Sequence, residues 1–385
     1  MANPNSDFPL SSLFSSDQRL CSAQILDPSQ VRARIEVTVL KFLKALFAPT
    51  PAISHLPLVC RKSSNSRLRS GLLSDVSSVF LLHSLCTRSF LRAGDAKPFI
   101  RVWKVMELCV QILSKGKLVT QRELFYKLLS DSPNYFSSQR EVNRAVQDVV
   151  ALLRCTRNSL GIMASSRGAI FGRLKIKDQD GNTVDCTGLG PAGYAISGDL
   201  NSLRQLDFLS DARYIIVIEK DAIFQRLSED RLFNLVPCIL VTAKGFPDIA
   251  TRFLLYRLNQ TFSEMPILAL VDWNPAGLAI LSTYKFGSIT MGLESYAYAC
   301  NVKWLGIRKD DLEMIPQQAF IELKPRDLQI AKSLRSSKML QEDYAAELTA
   351  MVEAGYRVEI EALYFHGFNF LSQYIARKIV QFDYI

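Results

Sequence analysis

Apolar residues recur along this chain with two different periods. From Ser29, Val31, Ile35, Val39, Leu43 and Leu46 fall at helical spacing and Phe42 and Phe47 widen the stripe, so a helix is expected. Pro49 and Pro51 end it at about Ala48, because proline lacks a backbone donor and disfavours helix just before it. The apolar segment Leu72–Leu91 is read as a second helix, able to pack on the following domains or to meet a partner. Val102–Leu113 predicts a third, broken at Ser114-Lys115-Gly116. Thr120 with Glu123 three residues on is a capping box, so a helix starts near Gln121 and stops before the turn cluster Asp131-Ser132-Pro133-Asn134. Ser138 and Glu141 repeat that signature and open a helix whose buried stripe is Val142, Ala145, Val146, Val149, Val150 and Leu153. Ile162–Ala164 and Ala169–Ile176 read as two strands joined at Ser165-Ser166-Arg167-Gly168.

Three helices followed by a basic hairpin make a winged-helix pattern over residues 100–176. The opposite face of its last helix carries Arg140, Asn143, Arg144 and Gln147, side chains of the kind that read phosphates and base edges. An ordinary helical domain with a solvated face fits the same pattern. From Asp211 the period changes. Tyr214–Ile218, Cys238–Val241 and Ile267–Val271 are continuous apolar runs, with helical segments near Asp221–Asp230 and Ile249–Leu258 between them. Such alternation predicts a parallel sheet covered on both faces, so the fold class is multidomain α/β. Residues 1–99 form an N-terminal arm and linker, of which 1–23 are Ser-rich and read as a poorly ordered tail. Residues 210–385 form the α/β domain.

Composition narrows the function. With 385 residues there is room for two domains and a tail. No apolar run approaches the roughly 20 residues of a membrane span, so no membrane association is expected. No basic segment precedes an apolar one at the N-terminus, so no secretory signal is expected either. The eight cysteines are scattered singly and the three histidines lie far apart, which removes zinc-ribbon and thiol-redox signatures and predicts free, mostly buried thiols. The net charge of +9 is uneven: residues 1–101 and 102–175 each carry +7, and the remainder carries −5. A basic first part and an acidic second part suit a chain that holds a polyanion with one and a metal with the other.

Glu219 and Asp272 each follow directly on an apolar strand, at the carboxyl edge where open sheets bind ligands. Two carboxylates without nearby His or Cys fit Mg²⁺ better than zinc. Alternatively they cap helices or pair with Lys220 and Lys244. Tyr126 has Arg122 one turn before it on the same helix face, where a guanidinium can favour a phenolate or hold a phosphate. As a bare pattern, an aromatic on an amphipathic helix equally belongs to a core.

Arg122-Glu123-Leu124-Phe125-Tyr126 resembles the nucleophile motif of the topoisomerase VI A subunits and of their eukaryotic relatives, the meiotic double-strand-break transesterases of the Spo-eleven type. Val217-Ile218-Glu219-Lys220 is similar to the Toprim glutamate motif. Lys244-Gly245-Phe246-Pro247-Asp248-Ile249-Ala250-Thr251-Arg252 and Asp272-Trp273-Asn274-Pro275-Ala276-Gly277 resemble two further motifs of the family, in the family's order across residues 100–385. Asn274 departs from it, standing where the family has a second aspartate. That departure, with the Asn274–Ile280 segment and Lys378-Ile379-Val380-Gln381, resembles a second, plant branch of the family.

The resemblance implies a winged-helix catalytic domain followed by a Toprim domain, acting on double-stranded DNA in the nucleus. Tyr126 would be the nucleophile, leaving a 5′-phosphotyrosyl link and a free 3′-hydroxyl, with Arg122 positioning the scissile phosphate. Mg²⁺ would rest on Glu219 and Asp272, with Asn274 offering an amide oxygen. Arg140, Arg144 and Lys175 would bind flanking phosphates, and Phe246 would reach the minor groove. Two strands need two tyrosines, so a homodimer, or a heterodimer with a paralogue, is implied, each active site joining one protomer's tyrosine to the other's carboxylates. A topoisomerase VI B-like subunit would bind the N-terminal region and bring any ATP use, since this chain has no P-loop. A somatic topoisomerase VI A subunit, or a non-cleaving paralogue completing a heterodimer, would share these motifs.

Overall fold

The computed structural model describes residues 20–47, 55–70, 77–90, 93–164, 167–337 and 340–385. They fall into two compact units, the first built from the chain up to Arg69 with 79–163 and 288–296, the second from 164–287 and 297–385 with the short 70–78 segment. Among the described residues no helix is long and apolar enough to cross a membrane. All eight cysteines are free, and most are buried.

Four helices frame the first unit: α1 (Pro28–Leu46), α2 (Ala93–Ser114), α3 (Gln121–Asp131) and α4 (Gln139–Leu153). Their apolar faces meet in one core that includes Val31, Val102, Val105, Cys109, Leu124, Leu128, Val146 and Val149. The expected stripe on α1 loosens along its length. Val31 and Ile35 are buried and Val39 and Phe42 pack half-buried on the core, whereas Leu43 and Phe47 are exposed. The prolines expected to end α1 lie outside the described residues. At α3 both capping-box bonds form: Glu123 N donates to Thr120 Oγ1 at 3.1 Å and Thr120 N donates to Glu123 Oε2 at 2.7 Å. At α4 the expected box is corrected. Glu141 reaches past Ser138 and accepts from the amide of Ser137 at 2.8 Å, because Arg101 draws its other oxygen to 2.5 Å.

Three further expectations are corrected. The segment read as a helix over Leu72–Leu91 contains two strands, Ser77–Leu82 and Leu85–Ser89; residues 71–76 lie outside the described residues. His83 and Ser84 break the run, and Leu85–Ser89 pairs antiparallel with His55–Val59. Of the expected N-terminal tail, Leu20–Cys21 is a strand against Leu81 and Leu82. Ala23 is 1% exposed and donates its amide to Leu293. Finally, Ile162 and Ala169–Ile176 do not form a hairpin. Ile162–Met163 pairs parallel with Val119–Thr120, and Ala169–Gly172 pairs antiparallel with Ile239–Thr242. Ala169, Ile170 and Phe171 are all buried, which suits a strand inside a sheet better than an exposed wing. Gly168 permits the entry, since a Cβ there would lie 2.1 Å from Thr251 Oγ1. Ser165 and Ser166 lie outside the described residues.

The second unit is built on a six-stranded sheet in the order Tyr194–Ala195, Ala169–Gly172, Cys238–Thr242, Tyr214–Ile218, Ile267–Leu270, Val302–Trp304. The last four are parallel; the first three of them are the continuous apolar runs that predict such a sheet, and Val302–Trp304, interrupted by Lys303, joins at the edge. Helices Asp221–Glu229, Ile249–Thr261 and Pro275–Phe286 alternate with them. From Tyr214–Ile218 the chain steps first to one neighbouring strand and then back to the other. This is a topological switch point, and both Glu219 and Asp272 follow strands that meet there.

Candidate active site

Leu124 and Leu128 anchor α3 in the core and turn Tyr126 outward, 53% exposed. One turn earlier, the Arg122 guanidinium donates a long hydrogen bond of 3.4 Å to the Tyr126 hydroxyl, and its carbon lies 5.8 Å from the ring centroid. Helical spacing is sufficient to bring these two together. A guanidinium beside an accessible phenol can hold an anionic oxygen at the hydroxyl. On α4, Arg140 and Arg144 are exposed, and Gln139 ties that helix to α3 by donating to the Gln121 carbonyl at 3.1 Å.

The other cluster lies at the carboxyl edge of the sheet in the second unit. Glu219 and Asp272 are 9% and 2% exposed, and Asp272 N donates to Glu219 Oε2 at 3.1 Å. Burial raises the Glu219 carboxyl, and the Asp272 charge raises it further. Burial also raises Asp272, against the opposing pull of Lys220 and of the Ile360 amide. Two buried carboxylates that resist sharing their charges are an arrangement a divalent cation relieves. Among the described residues no group of three His, Cys, Asp or Glu side chains is placed to hold a metal. The Glu219–Asp272 pair fits an ion that takes two carboxylates and keeps its waters.

Asn274 lies beside them, but its side chain is committed. Its Oδ1 caps helix Pro275–Phe286 by accepting from Gly277 N at 2.7 Å, and its amide nitrogen faces Asp272 Oδ2 at 3.4 Å. Gly277 is required there, since a Cβ would come 2.4 Å from the Asp272 carbonyl.

Of the two lysines weighed from the sequence, Lys220 pairs with Asp272 at 3.1 Å, while Lys244 pairs with Asp221 at 3.3 Å. Sequence reasoning missed the segment that completes the cluster. Ile360 N donates to Asp272 Oδ1 at 2.9 Å, and the flanking Glu359 and Glu361 hold Lys220 at 3.1 and 2.5 Å. The only available signal was two acids alternating around one apolar residue. Burial alone would lower the Lys220 ammonium, but Asp272, Glu361 and Glu359 outweigh it and raise it above the ordinary lysine range.

Phe246 is 49% exposed in a loop shaped by positive φ at Lys244 and Gly245. Gly245 N bonds the Glu219 carbonyl at 2.8 Å, so this loop starts beside the carboxylates. Asp248 then caps the next helix by accepting from Thr251 N at 2.9 Å. Lys175 is exposed on a small separate sheet, 3.7 Å from Asp185, and is not brought to the Phe246 loop by any bond among the described residues.

Two family models match the chain. The type IIB DNA topoisomerase model covers residues 97–162, and the Toprim-domain model of the topoisomerase 6 A-subunit/Spo11 family covers residues 214–379. Toprim domains are metal-binding domains, in keeping with the paired carboxylates. The chain is 68% identical to the meiotic recombination protein SPO11-2 of Oryza sativa subsp. japonica, over 97% of this chain and 98% of that protein. It is 62% identical to SPO11-2 of Arabidopsis thaliana, over 97% of each. It is 35% identical to the A3 subunit of DNA topoisomerase 6 from Oryza sativa subsp. indica, over 93% of this chain and 79% of that protein. An accessible tyrosine on a helix, a carboxylate pair at a sheet switch point and two matching domain models converge: the chain belongs to the topoisomerase 6 A-subunit/Spo11 family, the type IIB DNA topoisomerases and their meiotic relatives.

Proposed function

We propose that this chain makes the DNA double-strand breaks that initiate meiotic recombination, by transesterification through Tyr126. The observation that carries this reading is the exposed Tyr126 hydroxyl under Arg122, in a chain 68% identical to a meiotic recombination protein. The tyrosine oxygen bonds to a backbone phosphorus, the phosphorus–O3′ bond breaks, and the departing 3′ oxygen takes up a proton. One ester replaces another, so no external energy source is needed for the cut. Arg122 holds the phosphate oxygens beside the Tyr126 hydroxyl. Glu219 and Asp272 would hold Mg²⁺, which when bound offsets negative charge developing on the phosphate. Asn274 stays beside them as helix cap and neutral neighbour.

Arg140, Arg144 and Lys175 bind flanking phosphates, and Phe246 reaches the minor groove. A dimer, of this chain or with a paralogue, supplies one tyrosine per strand. The exposed Val37, Leu40 and Leu43 on α1, with Phe47 at its C-cap, offer the surface for a topoisomerase VI B-like subunit. The work is nuclear. The greater identity to meiotic relatives than to a topoisomerase 6 subunit favours this reading over a somatic topoisomerase role. Asn274 in place of an acid supports a second reading, a non-cleaving paralogue that completes a heterodimer.

Covalent capture separates the two. The purified chain and its partners are given Mg²⁺ and duplex DNA, then denatured. Protein-linked 5′ ends from wild type and none from Tyr126→Phe are expected. No adduct from either, with DNA binding intact, overturns cleavage in favour of the second reading.

A further inference from the structure

The Toprim carboxylates of this chain already have a cation beside them. Lys220 follows Glu219 directly, and its ammonium lies 3.1 Å from Asp272 Oδ2, 3.1 Å from Glu359 Oε2 and 2.5 Å from Glu361 Oε2. We propose that Lys220 is a resident counter-cation of the carboxylate site, one that competes with the divalent ion for Asp272 and is drawn aside by Glu359 and Glu361 when the ion binds. The inference rests on the reading that Glu219 and Asp272 hold Mg²⁺.

Three observations carry it. First, the Asp272 side chain is 3% exposed, so its ionised form needs a partner within contact distance, and Lys220 is that partner. Second, the alternative seat for the ammonium is already built. Glu359 and Glu361 are 36% and 38% exposed, so pairing with them keeps Lys220 partly hydrated, and leaving Asp272 breaks one of three ion pairs. Third, the segment that holds the lysine also holds the ligand. Between the two glutamates, the Ile360 amide donates to Asp272 Oδ1, while the Ile360 side chain is buried and fixes the segment. Asp272 is thus kept in place from one side when Lys220 withdraws from the other. Of the two glutamates, Glu359 is shared with Arg357 at 3.7 Å, so Glu361 is the principal acceptor of the displaced charge. The neutral Asn274 makes the competition matter more, because it adds no charge beside Asp272 to offset the ammonium.

Lys220, Glu359 and Glu361 are therefore positioning residues that set the affinity of the site. Calorimetric titration of the full-length chain with MgCl₂ alone, without DNA, tests this. Lys220→Met is expected to bind Mg²⁺ about tenfold more tightly than wild type, to melt lower without metal and to gain more from its addition. Glu361→Gln, which leaves the ammonium on Asp272, is expected to weaken binding several-fold. The double variant should return to the tight affinity, because with no ammonium there is nothing left for Glu361 to withdraw. Wild-type binding that is lost in Asp272→Asn but unchanged in Lys220→Met and Glu361→Gln would overturn the role of Lys220 and leave the metal site standing. If Lys220→Met does not fold, an unchanged Glu361→Gln affinity overturns it alone. No binding by wild type would overturn the metal reading, and this inference with it.

Discussion

At the scale of single residues, the site is governed by which charges are buried together. Asn274 is the informative departure, because it keeps the cap on Gly277 while removing a negative charge next to Asp272. An aspartate there can make the same cap and adds a third carboxylate to the cluster. Asn274→Asp is expected to bind Mg²⁺ several-fold more tightly and to melt a few degrees lower without it, read by calorimetry and by thermal unfolding with and without MgCl₂. Lys285 makes a separate residue-scale prediction. It is 8% exposed, bonded to Gln341 at 2.7 Å and to the Tyr344 hydroxyl at 3.3 Å. Burial, reinforced by Lys303, pushes its ammonium down to about 8. The unfolded chain therefore binds the extra proton between that value and the ordinary lysine range near ~10.4. Charging Lys285 costs stability fully below about pH 8, and the cost is lifted as pH rises through that window. Urea unfolding at two pH values, one below and one inside the window, should show wild type gaining stability relative to Lys285→Met by on the order of 1 kcal/mol. An unchanged difference would refute it.

At the scale of elements, α3 is a short helix that carries the nucleophile on its outer face, so its ends matter more than its middle. The Thr120–Glu123 box satisfies two donors at the N-terminus, one turn from Arg122 and Tyr126. Thr120→Ala should cost about 1 kcal/mol in urea unfolding. Adduct yield should fall as well, because the same turn fixes the angle of Arg122; unchanged stability would sink the argument. This box was legible in the sequence, as were α4's buried stripe and three parallel strands, two of which lead into the acids Glu219 and Asp272. The failures were also systematic. From the sequence, Ala169–Ile176 reads as half of a hairpin because it stands next to Ile162 and a turn sequence. Ala169–Gly172 is buried on both faces, and that property belongs to a sheet interior supplied by a strand some 70 residues later, while Lys175–Lys177 joins a separate small sheet. Over 77–89 the long apolar run reads as helix, although His83-Ser84 interrupts it and turns one strand into the next.

At the scale of the whole molecule, charge divides the labour. The first 175 residues carry all of the excess positive charge and the rest is net acidic, so phosphate binding is expected to depend mainly on the first unit. Arg140→Gln with Arg144→Gln should weaken duplex binding alike for all sequences. It should also reduce the slope of log affinity against log salt by about two, one for each lost phosphate contact. Binding isotherms over a series of salt concentrations measure this, and an unchanged slope would remove α4 from the interface.

The sequence by itself determined what depends on near neighbours. Helical spacing puts Arg122 against Tyr126, capping chemistry starts α3, and continuous apolar runs end in Glu219 and Asp272 at one edge of a parallel sheet. Only the tertiary structure decided what those carboxylates meet. Glu359, Ile360 and Glu361 lie about ninety residues beyond Asp272, yet they bond it and its lysine. Nothing in local periodicity encodes that pairing, because a surface acid has the same sequence signature whether it faces water or a half-buried ammonium. The choice was made by chain packing, which leaves a buried charge nowhere to go except to a partner.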